Sequence, residues 1–435
     1  MKHVPTLACH TLGCKVNQYD TQAMEELLNA AGYDSVPFPG PADVYLLNTC
    51  TVTGTGDRKS MQLARRLKRE HPESKLILCG CLAQLRGAIL LESGADLVIG
   101  TQRRLEVADL LRRVTETGRP ICAVDPIPAS LPFEPLNVSR QSEHTRAVLK
   151  IQEGCGNRCS YCIIPSVRGP VRSRPAGDIR QEAQRLADNG FCEIVLTGIH
   201  LSSYGLDTDP PSSLLEPIRI LSVIPGIRRI RLGSLEPTIA TPSFAAALRQ
   251  AGKVCPQFHL ALQSGSDAVL GRMRRRYQVR HYMEAVDNLR AVFPDAALTT
   301  DILTGFPGET EAEFNETADL IRRVGFARIH VFPFSPRPGT PAASMPGQLT
   351  DAVKQERARL LIAAGECAAR LYRESWIGRT AEVLPEEISG GCWEGYTPEY
   401  LRVRIDPDSS CASGVPVSVR LSRGASGILR GTVVP

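Results

Sequence analysis

A chain of 435 residues, 43% apolar and 22% charged, has the composition of an ordinary globular protein of two or three domains, which excludes a disordered, fibrous or membrane-spanning chain. Its formal charge of +5 is a mild basic excess, compatible with nucleic acid but no signature of it. No secretory leader is read ahead of the first strand, so the cytoplasm is the expected compartment; there, fourteen cysteines point to metal ligation or to small buried hydrophobes rather than to disulfides.

In chain order, a strand over 6–11 leads into Gly13-Cys14, and a helix over about 18–31 stops at Gly32. The apolar run 44–47 enters Asn48-Thr49-Cys50, and a basic amphipathic helix over about 58–70 ends before Pro72. A third strand, 76–78, runs into Gly80-Cys81, and 97–99 is a fourth, with a helix after it. This alternation predicts an open parallel α/β sheet over residues 1–120. Five prolines between Pro120 and Pro135 mark 121–145 as a linker. Strands then recur at 148–152, 194–197, 230–233, 258–262, 298–303 and 329–334 with helices between them. Six such repeats predict a partial or complete β/α barrel over 146–374, closing on a helix near 351–374. Residues 375–435 alternate apolar and polar, as in Tyr400-Leu401-Arg402-Val403-Arg404-Ile405, and read as a small antiparallel β-barrel.

The strongest chemical signal is Gly154-Cys155-Gly156-Asn157-Arg158-Cys159-Ser160-Tyr161-Cys162, just past the first strand of the predicted barrel. Barrel enzymes carry their chemistry on the loops at strand carboxyl ends, and thiolates are soft ligands for iron–sulfur clusters. Three cysteines can hold three irons of a 4Fe–4S cluster and leave the fourth open. The spacing C-x3-C-x2-C resembles that of the radical S-adenosylmethionine superfamily, in which the open iron chelates the cofactor; a three-cysteine zinc site and unrelated thiols are the competing readings. Cys14, Cys50 and Cys81 each follow a predicted parallel strand, and such loops share one sheet edge where ligands bind. They therefore form a candidate second cluster site, against the alternative of three loop cysteines without a partner. Cys79 competes with Cys81, but it ends a strand whereas Cys81 follows the turn at Gly80.

The runs Thr11-Leu12-Gly13-Cys14-Lys15-Val16-Asn17-Gln18-Tyr19-Asp20, Asn48-Thr49-Cys50-Thr51-Val52-Thr53 and Gly80-Cys81-Leu82-Ala83-Gln84 resemble the amino-terminal domain of the radical methylthiotransferases. Leu262-Gln263-Ser264-Gly265-Ser266-Asp267, Gly305-Phe306-Pro307-Gly308-Glu309-Thr310 and Phe334-Ser335-Pro336-Arg337-Pro338-Gly339-Thr340 are similar to the barrel of that family, and the last segment to its TRAM module. The resemblance implies two 4Fe–4S clusters, one on Cys155, Cys159 and Cys162 and one on Cys14, Cys50 and Cys81. It also implies S-adenosylmethionine as both radical source and methyl donor, a reducing electron donor, and a tRNA substrate for a monomeric enzyme. The runs around Cys14 and Cys50, with Gly56-Asp57-Arg58-Lys59-Ser60, look most like the branch acting on N6-threonylcarbamoyladenosine beside the tRNA anticodon. The branches acting on isopentenyladenosine or on an aspartate of a ribosomal protein are alternatives, as is a non-catalytic RNA-binding iron–sulfur or zinc protein.

Smaller sites follow. Tyr161, Gly198, Ser234 and Glu236 are candidate cofactor contacts, with Glu236 placed to accept bonds from the amine or ribose, or else a plain loop carboxylate. The run 305–310 opens a helix whose free N–H groups could meet cofactor atoms, or is simply a turn and cap. Basic clusters at Arg58-Lys59 with Arg65, Arg66, Lys68 and Arg69, and at Arg274-Arg275-Arg276, could attract phosphate, although such runs are usually solvated faces. The terminal segment 375–435 has six arginines against seven acids, a net charge of −1. RNA would then be held by a local stripe, for which Arg402, Arg404, Arg420 and Arg423 are the candidates.

Overall fold

The computed structural model describes residues 4–139, 145–406, 411–425 and 427–434; Met1 to His3, the end of the predicted linker (140–144) and Asp408 lie outside them. Six parallel strands open the chain: β1 (Thr6–Thr11), β2 (Asp34–Ser35), β3 (Val44–Thr49), β4 (Lys75–Gly80), β5 (Leu97–Ile99) and β6 (Ile121–Ala123), paired in the order β2-β1-β3-β4-β5-β6. Successive strand residues point to opposite faces. Leu7, Leu46 and Ile77 accordingly pack with the helices Lys15–Ala30 and Val107–Thr117, while Ala8, Leu47 and Leu78 pack with the helix Gly54–Glu70 on the other side. The strand order reverses between β1 and β3, and in doubly wound sheets ligands bind in the crevice at that point. The sheet reaches beyond the expected boundary at 120, because β6 completes it. The proline-rich stretch that follows is no loose spacer either. Leu136 and Val138 are buried against Tyr19, and Glu134 accepts from Arg104 at 2.7 Å.

The central domain is an open, partial barrel. Strands β7 (Arg146–Glu153), β9 (Glu193–Gly198) and β10 (Arg229–Leu232) form one parallel group, with the short β8 (Arg172–Ser173) antiparallel at its edge. Strands β11 (Gln257–His259), β12 (Ala297–Thr304) and β13 (Arg328–Pro333) form a second group. Parallel bridges at Ile230–Val254 and Leu235–Leu260 join the groups into one curved sheet of six parallel strands in chain order. Leu149, Ile194, Ile230, Phe258 and Leu298 face the helices, whereas Lys150, Glu193, Arg231 and Gln257 alternate with them on the concave side.

The terminal barrel is closed: β14 (Thr380–Ser389), β15 (Cys392–Tyr396), β16 (Arg402–Ile405), β17 (Val417–Ser422) and β18 (Leu429–Val433) pair in the order β14-β15-β16-β18-β17. One pairing corrects the expectation of an all-antiparallel barrel, since β16 and β18 run parallel. The turn between β15 and β16 seals the amino-terminal end of the central sheet. The buried Arg229 donates to the Tyr396 carbonyl at 3.1 Å and pairs with Glu382 at 2.8 Å, and the buried Arg231 donates to the Pro398 carbonyl at 2.9 Å. Deleting 375–435 is therefore expected to destabilise the central domain, because unpairing one buried charge typically costs about 3–5 kcal/mol. Thermal unfolding of the truncated chain should show its remaining domains melting well below those of the full chain. Equal melting would mean that the terminal barrel is a passive appendage.

Candidate metal centres

Each cysteine of the first set sits where a strand hands over to a helix. Cys14 is the N-cap residue of Lys15–Ala30, Cys50 follows β3 three residues ahead of the cap Thr53, and Cys81 opens the short helix Cys81–Arg86. The three converge at the sheet edge, close enough that Cys50 and Cys81 each feel the charge of Cys14. Gly13, at φ +114°, makes this possible: a Cβ there would stand 3.1 Å from Cys50 Sγ and 3.2 Å from Asn17 Nδ2. Cys79 lies apart, in the apolar layer beneath the sheet, with its thiol toward the Leu47 carbonyl.

The second set lies on the loop after β7. Gly154, at φ +72°, turns the chain where a Cβ would collide with the Pro170 carbonyl at 1.7 Å. Cys155 accepts the Asn157 N–H at 3.4 Å, and Cys159 accepts from Arg275 at 3.1 Å. Burial pushes the Cys162 thiol up to about 12 and the Cys81 thiol up to about 11, the latter against the pull of Arg168, whose Nε stands 3.2 Å from Cys81 Sγ. Among the described residues no three His, Cys, Asp or Glu side chains meet tightly enough for a single metal ion; a cube of four irons spreads its thiolates wider. The donor chemistry of both sets fits such a cube. Each offers three thiols, and in each a buried guanidinium donates to one sulfur, placing a positive charge beside the ligand atoms.

The loops of the two sets are linked across the domain boundary through Cys81 and Arg168. Cys81 packs against Ile163, the neighbour of Cys162. Arg168 bridges Cys81 to Glu153, two residues ahead of Cys155, with both Glu153 oxygens at 3.0 Å. Arg337, from the loop after β13, donates to Thr51 at 2.5 Å and to Asp57 at 3.0 Å, fastening the loop of Cys50 to the barrel.

The other candidates scatter. Glu236 is buried and already accepts from His200 at 3.1 Å, Arg275 at 3.2 Å and Asn157 at 3.3 Å. Burial pushes its carboxyl up, but those donors outweigh burial and hold it below the usual carboxylate range. Gly198 gives room to Gln152, which a Cβ would meet at 2.8 Å; Ser234 is exposed beside the same edge. Tyr161 is half-buried and meets Phe306 edge-on, in an apolar cluster with Phe334. The run 305–310 forms a turn and cap. Thr310 and Glu313 form a capping box, Glu309 accepts from Gly305 N, and Gly308 N donates to the Gly347 carbonyl. Arg275 is no phosphate-seeking surface residue either, since its side chain is buried between Cys159 and Glu236. Lys68 is tied to Asp96 at 3.0 Å, while Arg58, Lys59, Arg65, Arg66 and Arg69 are exposed on the helix Gly54–Glu70. Arg402 and Arg404 share an outward face but both fork onto the buried Glu394, and Arg423 pairs with Glu374. His200 and Arg168 carried no periodic or spacing signal. A histidine after a strand and an arginine before Gly169 look like any loop residues until the domains dock.

Comparison with known proteins fits this layout. Residues 149–321 match the radical SAM superfamily, and residues 6–100 match the uncharacterized protein family UPF0004. The chain is 41% identical to the threonylcarbamoyladenosine tRNA methylthiotransferase MtaB of Bacillus subtilis, over 92% of this chain and 90% of that one. It is 36% identical to the enzyme of the same name from Thermotoga maritima, over 91% and 90%. A tRNA-2-methylthio-N(6)-dimethylallyladenosine synthase of Acidothermus cellulolyticus is 38% identical over 88% and 78%. Among solved structures, the radical S-adenosylmethionine methyltransferase TsrM of Kitasatospora setae shares the fold at a TM-score of 0.58 and 14% identity, over 78% of this chain and 75% of that one.

Proposed function

This chain belongs to the radical S-adenosylmethionine tRNA methylthiotransferases, and on that footing we propose that it methylthiolates the N6-threonylcarbamoyladenosine beside the tRNA anticodon. The observation that carries the reading is that two three-cysteine sets lie on two docked domains whose boundary is bridged beside Cys81 by Arg168 and Ile163. Cys155, Cys159 and Cys162 would hold one 4Fe–4S cluster, and Cys14, Cys50 and Cys81 the other. When bound, the clusters and S-adenosylmethionine supply an electron, a carbon-centred radical, sulfur and a methyl group.

The residues present serve that chemistry by position. Glu236 is held ionised by His200, Asn157 and Arg275 at the mouth of the barrel, where it can accept bonds from a cofactor's amine or hydroxyls. Tyr161, Phe306 and Phe334 pack an aromatic cluster beside the thiol loop. Placing the two sets on different domains lets one present the cofactor and the other the sulfur to a base inserted between them. The partners are tRNA and a reducing electron donor, and the place of work is the cytoplasm; among the described residues, no helix is long and apolar enough to cross a membrane.

The test is reconstitution with iron, sulfide, S-adenosylmethionine and a reductant. Mass spectrometry of nucleosides should show the methylthio product on tRNA carrying N6-threonylcarbamoyladenosine. Product only on isopentenyladenosine, or only on a ribosomal protein, would overturn the substrate assignment.

A further inference from the structure

Arg168 belongs to the central domain, six residues past Cys162, yet its side chain ends among residues of the amino-terminal one. It is fully buried. Nε donates to Cys81 Sγ at 3.2 Å, Nη1 to Asp20 and Glu153 at 3.0 Å, and Nη2 to Asn17 Oδ1. Every edge of the guanidinium is engaged, so its orientation is set by four different partners. Around it lies a buried cage in which Arg104 pairs with Asp20 and Glu134, Lys150 bridges Asp20 and Glu153 at 2.6 Å, and Arg172 stands 4.0 Å from Glu153. Four cations there meet three carboxylates, Asp20, Glu134 and Glu153. The surplus positive charge is directed at the sulfur of Cys81.

Resting on the reading that Cys14, Cys50 and Cys81 hold a cluster, we infer that Arg168 is the positioning residue that sets its reduction potential. Potentials of iron–sulfur clusters rise with hydrogen bonds to sulfur and with nearby positive charge, because both favour the more negative reduced state. Inside protein that charge is weakly screened. The other set has its own counterpart in Arg275, which donates to Cys159 and pairs with Glu236 at 3.2 Å within one domain. Arg168 differs in crossing the boundary: the cluster on one domain is tuned by a charge on the other. Its potential therefore depends on docking, and a cluster on an undocked amino-terminal domain is harder to reduce.

The full-length chain with Cys155, Cys159 and Cys162 changed to alanine isolates the cluster on Cys14, Cys50 and Cys81. Iron analysis comes first. About four irons per chain keep the underlying reading, and none would overturn it and this inference with it. Reduction followed by electron paramagnetic resonance then reads the midpoint. Arg168→Gln should lower it, Arg168→Lys should recover most of the loss, and Glu153→Gln, which frees the guanidinium from a carboxylate, should raise it. Arg275→Gln in the same background should leave it in place. A residue that only braces the interface would alter melting or iron content without moving the midpoint. If Arg168→Gln fails to hold iron, the sign of the Glu153→Gln shift decides. An unmoved midpoint in iron-replete Arg168→Gln, or no rise in Glu153→Gln, would overturn the inference.

Discussion

Alanine at Cys14, Cys50 and Cys81 together is expected to stop methylthiolation while leaving reductive cleavage of S-adenosylmethionine largely intact, whereas alanine at Cys155, Cys159 and Cys162 stops both. The reason is spatial. The second set lies on the loop after β7, beside Glu236 and its three donors, and that loop belongs wholly to the central domain. The first set lies at the edge of a different sheet and touches the central domain through Arg168, Ile163 and Arg337. Iron content should fall from about eight to about four per chain in either triple variant. 5′-Deoxyadenosine release reports cleavage, and nucleoside mass spectrometry reports transfer. Losing the Cys81 sulfur also strips Arg168 Nε of its acceptor, and a buried unpaired donor costs about 1–3 kcal/mol. A version with serine at position 81 keeps an acceptor there and separates lost stability from lost chemistry. Methylthiolation surviving in a folded first-set variant would refute the division of roles.

Much of this arrangement is legible before folding, and the reason is local. β1 and β5 match the sequence expectation end to end, since a short apolar run ended by a turn is a signal that needs no tertiary context. β2 has no such signal. Its two residues, Asp34 and Ser35, are exposed and owe their conformation to pairing with β1. β6 hides among prolines and is strand only because β5 offers it an edge. The six cysteines stand out by spacing and by strand-end position. What surrounds them does not: Arg168, His200 and Arg275 gain their meaning from a neighbour more than thirty residues away in sequence. Arg275 in particular sits in a run of three arginines that reads as a solvated patch, and only the fold turns the middle one inward.

The terminal barrel is expected to grip tRNA through its outer face, and Arg420→Glu should reveal this more cleanly than any other single change there. Arg402 and Arg404 on β16, Arg430 on β18 and Arg420 on β17 lie on adjacent strands and all point outward. Two of the carboxylates nearby are already paired: Glu394 takes both Arg402 and Arg404, and Asp406 takes Arg430 at 2.7 Å. Glu387, exposed opposite Glu394, also acts on Arg402, so four cations meet three acids and leave a slight basic excess inside a near-neutral module. Arg420 makes no ion pair among the described residues, so its charge is free for phosphate. Reversing Arg402 and Arg404 would instead crowd two acids onto Glu394, which is only 2% exposed, and would confound binding with folding. Glutamine at those two positions keeps donors toward Glu394 but removes its charge partners, so melting is measured beside binding. Every phosphate that a variant no longer neutralises should flatten the log–log dependence of tRNA affinity on salt by about 0.7–0.9. Arg420→Glu should therefore weaken binding and lower the slope, while cleavage of S-adenosylmethionine without tRNA stays as it was. An unchanged affinity and slope would move the RNA to the exposed Arg58, Lys59, Arg65, Arg66 and Arg69, on the helix that starts beside the Cys50 loop, and the same salt titration on variants of that helix would then show the weakened binding.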